Sequence, residues 1–195
     1  MTTTDSGDTD TAGEYAVLLD VLRHGRRSDN RRFDSAPVAY ALAESNFHLL
    51  ELTLTEDSDV SIGDRVLISP VEDREDVAQV SRIGYDDLSN TAHSELEYVV
   101  EDIVDADETR FVDFYNDAQP ITLRLHQLNL LPGIGKKLRD KVLEERKRYG
   151  PFESFDDLEE RVSGLHHPKD VVIERILDEI RGDDVKYKTF VRADA

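Results

Sequence analysis

Apolar and polar residues change their rhythm once along this 195-residue chain, near position 86. Before that point the apolar segments are short and show no helical period. Glu14 to Leu22 (EYAVLLDVL) and Pro37 to Ala43 (PVAYALA) are nearly continuous apolar runs. Phe47 to Thr55 (FHLLELTLT) alternates in its second half, with Leu50, Leu52 and Leu54 on one face and Glu51, Thr53 and Thr55 on the other. Gly63 to Ser69 (GDRVLIS) and Val77 to Tyr85 (VAQVSRIGY) complete the set, with the acidic turn Glu56 to Ser61 before them. Runs of this length, bounded by Gly, Asp, Asn and Ser, read as strands. Five short strands over about 70 residues predict a small closed barrel, because closure removes the edges of so small a sheet.

Beyond residue 86 the period becomes helical. From Thr91 to Asp105, Leu96, Val99, Val100, Ile103 and Val104 share one face and acids the other. Glu108 to Tyr115 predicts a second short helix, which Gln119-Pro120 breaks. Leu123, Leu125, Leu128 and Leu130 lead into Leu131-Pro132-Gly133-Ile134-Gly135 and then a basic helix to about Tyr149, stopped by Gly150-Pro151. Ser154 and Asp157 form a capping-box pair, with Asp in place of the preferred Glu. Pro168 suits a first helical position. Val171, Val172, Ile176 and Ile180 line the last helix, which Gly182 ends, and Val185 to Val191 reads as a short strand or an ordered tail.

Charge changes the picture next. The chain carries 24 Lys and Arg against 43 Asp and Glu, a net charge of −19. That balance ordinarily argues against a phosphate-bearing partner. Yet Lys is scarce (seven, against seventeen Arg) and Asp is abundant, a composition that resembles proteins of salt-loving organisms such as haloarchaea. In molar salt the Debye length falls to about 3 Å, and dense carboxylates serve surface hydration. Divided at Pro120, residues 1–119 hold the whole excess of −19, and residues 120–195 are neutral. Two basic concentrations stand out: Arg23, Arg26, Arg27, Arg31 and Arg32 in one loop, and eight cations between Arg124 and Arg148. The chain contains no cysteine, which excludes disulfides, thiolate metal sites and cysteine catalysis. The start, Met1 to Gly13, lacks the basic and apolar parts of a secretory signal, and no apolar run approaches the roughly 20 residues of a membrane helix. A soluble, cytoplasmic protein is expected.

The chemistry concentrates at Leu130-Leu131-Pro132-Gly133-Ile134-Gly135-Lys136-Lys137-Leu138. Pro-Gly-x-Gly makes a tight corner between helices, since Gly permits positive φ and close backbone approach. Ile134 tucks inward. The corner delivers unpaired N–H groups at a helix start, an anion site to which Lys136 and Lys137 add charge. This stretch resembles the helix-hairpin-helix motif of DNA- and RNA-binding proteins, and Gly150-Pro151-Phe152-Glu153-Ser154-Phe155-Asp156-Asp157-Leu158 resembles the continuation of its tandem form. The resemblance implies phosphate contacts from Pro132, Gly133, Ile134, Gly135, Lys136, Lys137, Arg139 and Lys141. Val162-Ser163-Gly164-Leu165-His166-His167-Pro168-Lys169 pairs with the first corner 31 residues on. There His166 stands for the second Gly, so this copy is expected to be structural. His166-His167 suggests no metal site, because adjacent turn side chains seldom share an ion and no carboxylate spacing supports one.

The whole chain resembles an uncharacterised archaeal family that joins an OB-like barrel to a C-terminal helix-hairpin-helix domain. The residues that carry this are Asp64-Arg65-Val66, Tyr98-Val99-Val100, Arg110-Phe111-Val112 and Leu125-His126-Gln127-Leu128. The implied α+β organisation is a disordered acidic tail (1–13), an OB-like five-stranded barrel (14–86), a helical connector (87–119), a helix-hairpin-helix domain with a degenerate second hairpin (120–183) and a C-terminal strand or tail (184–195). OB-like domains bind single strands across a sheet face and its loops. That singles out the loop arginines Arg23, Arg26, Arg27, Arg31 and Arg32, and Tyr40, His48 and Tyr85 for stacking, with Phe47 read as core.

The leading expectation is therefore a non-catalytic nucleic-acid-binding protein without cofactor or metal, RNA preferred over DNA. The family resemblance links it to translation or ribosome biogenesis. One alternative is a nucleic-acid-processing enzyme of nuclease or repair type, although no catalytic motif stands out. Another is an adaptor that docks on ribosomal or transcription components through the acidic helices from Thr91 to Asp117.

Overall fold

Strands β1 (Glu14–Leu22), β2 (Val38–Ala43), β3 (Leu49–Leu54), β4 (Arg65–Ser69) and β5 (Val77–Arg82) form one antiparallel sheet in the order β4-β1-β2-β3-β5. The structure, a computed structural model, describes residues 13–23, 36–182 and 185–192. Register explains the missing alternation in β2. Its Ala39, Ala41 and Ala43 join Ala16, Leu18, Leu50, Leu52, Leu54, Val66, Ile68 and Val77 in a cluster on one face. Tyr40 and Leu42 face the other way, into a cluster shared with the helices. A strand buried on both faces reads as a continuous apolar run. The alanines leave room for the sheet to curl over its own larger side chains.

The expected closed barrel is not formed. No ladder joins β4 to β5 among the described residues. Both edge strands run antiparallel to their neighbours and hence in the same direction, so closure would require a parallel pair. The result is a curled half-barrel whose outer face is covered by helix α1 (Asn90–Ala106). Ser89 caps α1 by accepting from Ala92 N at 3.1 Å, and its hydroxyl donates to the buried Asp20 carboxylate at 2.5 Å. Asp20 sits at a bulge in β1 and also accepts from Val21 N at 2.8 Å. A buried carboxylate with two donors is compatible with burial, where an unpaired one would not be.

After α1 come α2 (Glu108–Asp117), α3 (Lys136–Tyr149), α4 (Phe155–Arg161) and α5 (Pro168–Arg181). The caps behave as their residue types dictate. Ser154 Oγ accepts from Asp157 N at 3.0 Å, Pro168 opens α5, and Gly150 and Gly182 end α3 and α5 at positive φ. The leucine-rich lead Leu123 to Leu130 is not a regular helix. Residues 119–126 make a tight loop closed by the Pro120–His126 bridge, and only Gln127–Leu130 form a 3-10 turn. One buried cluster runs without interruption from Leu19, Tyr40 and Phe47 on the sheet through α1, α2 and α5 to Phe190 and Val191.

The closing segment 185–192 contains no strand. It is an ordered tail clamped to α5. Glu179, with no solvent exposure, accepts from Thr189 N and Phe190 N at 2.8 Å, from Val191 N at 2.9 Å and from Arg175 Nε at 2.8 Å. Phe190 then packs on Phe114 and Phe111, with ring centroids 5.1 and 6.1 Å away. No helix among the described residues is long and apolar enough to cross a membrane.

Candidate functional site

The first corner is built by four residues of alternating fate. Leu131 and Ile134 are buried, and Gly133 and Gly135 are exposed. Ile134 N donates to Leu131 O at 3.2 Å, and Gly133 takes φ +75°, where an L side chain is strained. Asn129 braces the corner from the 3-10 turn: its amide donates to Ile134 O at 3.0 Å and accepts from Arg139 Nη1 at 3.2 Å. Gly135 is the residue before α3 and offers no side-chain cap, so no side chain satisfies the first N–H groups of the helix. Lys136 and Lys137 are exposed there, and no acid lies in the first turn.

Gly135 is informative. Its φ of −80° is open to any residue, and a Cβ added to it would meet nothing within 4 Å. Folding alone does not demand a glycine here.

The second corner repeats the frame. Leu165 N donates to Val162 O at 3.0 Å, both side chains are buried, and Gly164 takes φ +95°. The differences are local. His167, in the left-handed region at φ +50°, is inserted before Pro168, so the approach to α5 is one residue longer. Asp170 occupies the first turn of α5, and His166 Nδ1 lies 3.6 Å from Glu159. Lys169 is drawn off to Glu101 and Asp105 of α1 at 3.0 and 3.1 Å, and those hydrogen bonds raise its pKa above the ordinary lysine value.

Other expected contacts divide. Arg139 pairs with Asp140 at 2.6 Å as well as with Asn129, and Lys141 Nζ donates to Ser163 O at 2.5 Å, tying the two corners together. Both are already engaged within the chain. Pro132 is half-buried beside Gly133. Arg23 donates to Val60 O at 3.1 Å and lies 3.7 Å from Asp59. Arg26, Arg27, Arg31 and Arg32 lie outside the described residues. Of the proposed stacking residues, Tyr40 is core, and Phe47 is buried as well. Tyr85 packs on the His93 ring at 4.5 Å, and His48 Nε2 meets Arg192 O at 2.6 Å. Among the described residues no group of three or more His, Asp and Glu side chains is arranged to hold a metal ion.

Three residues that carried the family resemblance, Arg65, Arg110 and His126, are engaged within the fold. Arg65 makes a two-pronged pair with Glu44 at 2.7 and 3.0 Å over the Tyr15 ring, which raises its pKa. Arg110 donates to Glu44 O and Ser45 O at 2.8 Å, and burial lowers its pKa. Its guanidinium lies 5.3 Å from the ring of Phe47, a residue held at φ +56°. His126 Nδ1 accepts from Leu128 N at 3.2 Å, and burial, with the charges of Arg139 and Arg146, holds its pKa below the usual histidine value. Tyr115 donates to Pro168 O at 3.0 Å, and burial pushes its pKa up. Sequence reasoning missed Asn129, Glu179 and the Arg110 pin. Each has backbone atoms among its partners, and such partners leave no pattern in a sequence.

The chain is similar to known proteins. An uncharacterised protein of Methanocaldococcus jannaschii is 40% identical over 180 residues, covering 91% of this chain and 79% of that one. The crystal structure of Af1531 from Archaeoglobus fulgidus is similar with a TM-score of 0.82 and 40% identity, over 92% of this chain and 99% of its own. The family model described as a protein of unknown function (DUF655) matches residues 12–192, and the chain belongs to that family.

Proposed function

We propose that this protein is a non-catalytic nucleic-acid-binding protein, RNA preferred over DNA, that grips backbone phosphates at its first corner. The corner and its degenerate partner are read as a tandem helix-hairpin-helix unit. The curled five-stranded sheet is read as an OB-like support, with the loop arginines Arg23, Arg26, Arg27, Arg31 and Arg32 as a second contact. One observation carries the reading. In a chain of net charge −19, the start of α3 keeps two exposed lysines, uncapped N–H groups, no acid and a glycine the fold does not require. Helix N–H groups and dipole favour an anion at that place, and lysines add charge without reading sequence.

The acidic surface then reads as a solvent adaptation of a salt-loving organism. Molar salt removes most of the affinity that comes from counterion release. Affinity in such a medium rests on directed contacts, which backbone N–H groups provide. Fluorescence titration with single-stranded and structured RNA and DNA, from low to molar KCl, tests the reading. Saturable binding that persists at high salt is expected, with RNA tightest. No binding to any of them at any salt would remove it.

A further inference from the structure

Leu123 is held in a position that packing cannot explain. Its relative exposure is 107%, against 44% to 66% for the other exposed large apolar residues, Ile62, Val71, Tyr98 and Tyr149. It nevertheless sits on an ordered support. Ile121 N and Thr122 N both donate to Leu125 O, at 2.8 and 3.0 Å. The Thr122 hydroxyl accepts from Leu125 N at 3.1 Å and from Arg124 N at 3.3 Å. At the base, Gln119 and Gln127 exchange two hydrogen bonds, at 2.6 and 3.0 Å, on either side of the Pro120–His126 bridge. An exposed leucine on a floppy loop needs no account, since single apolar surface residues are common. Here the backbone is fixed so that the side chain stands clear of the protein.

Its location gives the loop a partner. The charge of Arg139, in the first turn of α3, bears on the His126 ring at the base of the loop. Only the four-residue 3-10 turn Gln127–Leu130, about 8 Å at roughly 2 Å per residue, separates that base from the corner at Leu131. Arg124 stands beside Leu123 at the tip. An apolar tip next to a cation, rooted close to a phosphate-binding helix start, fits a strand whose backbone is gripped and whose bases are pushed apart. Proteins that bend nucleic acid insert Leu, Ile, Phe, Met or Pro between base steps in this manner. We propose that Leu123 is a wedge that enters a base step of the bound nucleic acid, with Arg124 on the adjacent phosphate. The proposal rests on the nucleic-acid-binding reading above and adds the residue that touches bases.

The test uses the full chain with duplex and hairpin RNA and DNA that carry the fluorescent base 2-aminopurine at successive positions. The wild-type protein should raise emission several-fold at one or two adjacent positions, the mark of an unstacked base. Leu123→Ala and Leu123→Ser should abolish that rise and weaken binding about tenfold by the same factor at every KCl concentration, because apolar insertion releases no counterions. Lys136→Glu should instead flatten the salt dependence and leave the emission rise at saturation. Circular dichroism of the Leu123 variants should be unchanged, since the side chain touches nothing in the fold. Wild-type binding without an emission rise, or Leu123 variants that bind and unstack like the wild type, would overturn the wedge and leave the phosphate grip standing. Failure of the wild type to bind any probe overturns both. A protein partner that survives nuclease and is lost with Leu123→Ala, from a chain that does not unstack bases, also overturns the wedge.

Discussion

The two corners share a frame and differ in what surrounds it. Each places a buried pair three residues apart, Leu131 with Ile134 and Val162 with Leu165, around a glycine at positive φ. Yet α3, which follows the first, buries only Val142, while α5, which follows the second, buries Pro168, Val172, Ile173, Ile176, Leu177, Glu179 and Ile180. The helix after the second corner belongs to the core: its Lys169 reaches to α1, its first turn carries Asp170, and its Glu179 holds the tail. The first corner remains at the surface with its charges unspent. The corners share the buried pair and the turned glycine, and differ in the charge beside them and in how deeply the following helix is buried.

The largest effect should come from breaking the structural side. Glu179→Ala leaves Arg175 without its carboxylate and three tail N–H groups without an acceptor. A buried ion pair broken on one side costs about 3–5 kcal/mol, so urea unfolding should show a loss of that order and the tail should become sensitive to protease. Phosphate-strand affinity, measured below the new unfolding midpoint, should be unchanged. Reduced affinity at full folding would mean that the two corners are not separable.

Next in size is the same operation on the exposed side. Lys136→Glu with Lys137→Glu reverses two charges beside the α3 start and should weaken binding about 100-fold at 0.1 M KCl for all sequences alike. Urea stability should barely move, because neither lysine has an ion-pair partner among the described residues. Lys169→Glu at the second corner should show the reverse, unchanged binding and a small loss of stability. Equal binding losses at both corners would refute the division.

A subtler probe sets stability against binding at one atom. Gly135→Asp supplies the missing cap of α3 and places a carboxylate where the phosphate is expected. Asp is better than Gly as a cap by only a few tenths of a kcal/mol, so the protein should become slightly more stable while affinity falls about tenfold. A variant that gains stability and keeps its affinity would show that the α3 start is not the contact.

How much of this was visible in the sequence depends on where each partner lies. The strands and helices of the described residues, and the caps at Ser154, Gly150 and Gly182, follow from residues that act on near neighbours: Ser154 on Asp157, Gly150 on the end of α3, Leu50, Leu52 and Leu54 on one face. The first corner was visible for the same reason. Direction was not. The motif resemblance implies phosphate contacts from Arg139 and Lys141, but one reaches back to Asn129 and the other across to Ser163 O. The open wall between β4 and β5 depends on how the strands pair at a distance, which no run of residues records. Phe47 at positive φ is held by Arg110 from 63 positions along the chain, so its conformation could not be read from the turn itself.

The smallest effect separates the corners by pH. His126 roots the loop that leads to the first corner, and no equivalent histidine roots the second: His166 is exposed, beside Glu159. Burial and the nearby Arg139 and Arg146 depress the His126 pKa in the folded state. The unfolded chain, with a histidine pKa of about 6.5, therefore takes up a proton before the folded one does. Stability attached to this neutral ring is fully present above about pH 6.5 and is lost as the pH falls below it, through the depressed folded value. Protonation also removes the lone pair that accepts from Leu128 N, so the same pH drop should loosen the approach to the first corner while the second stays closed. Amide exchange at Leu128 should rise between pH 7.5 and 5 relative to the intrinsic rate, with no matching change at Leu165. His126→Asn keeps an acceptor at the cap and removes the titration, so its stability should lose this part of the pH dependence. An identical pH profile in wild type and variant would show that the ring does not control the first corner.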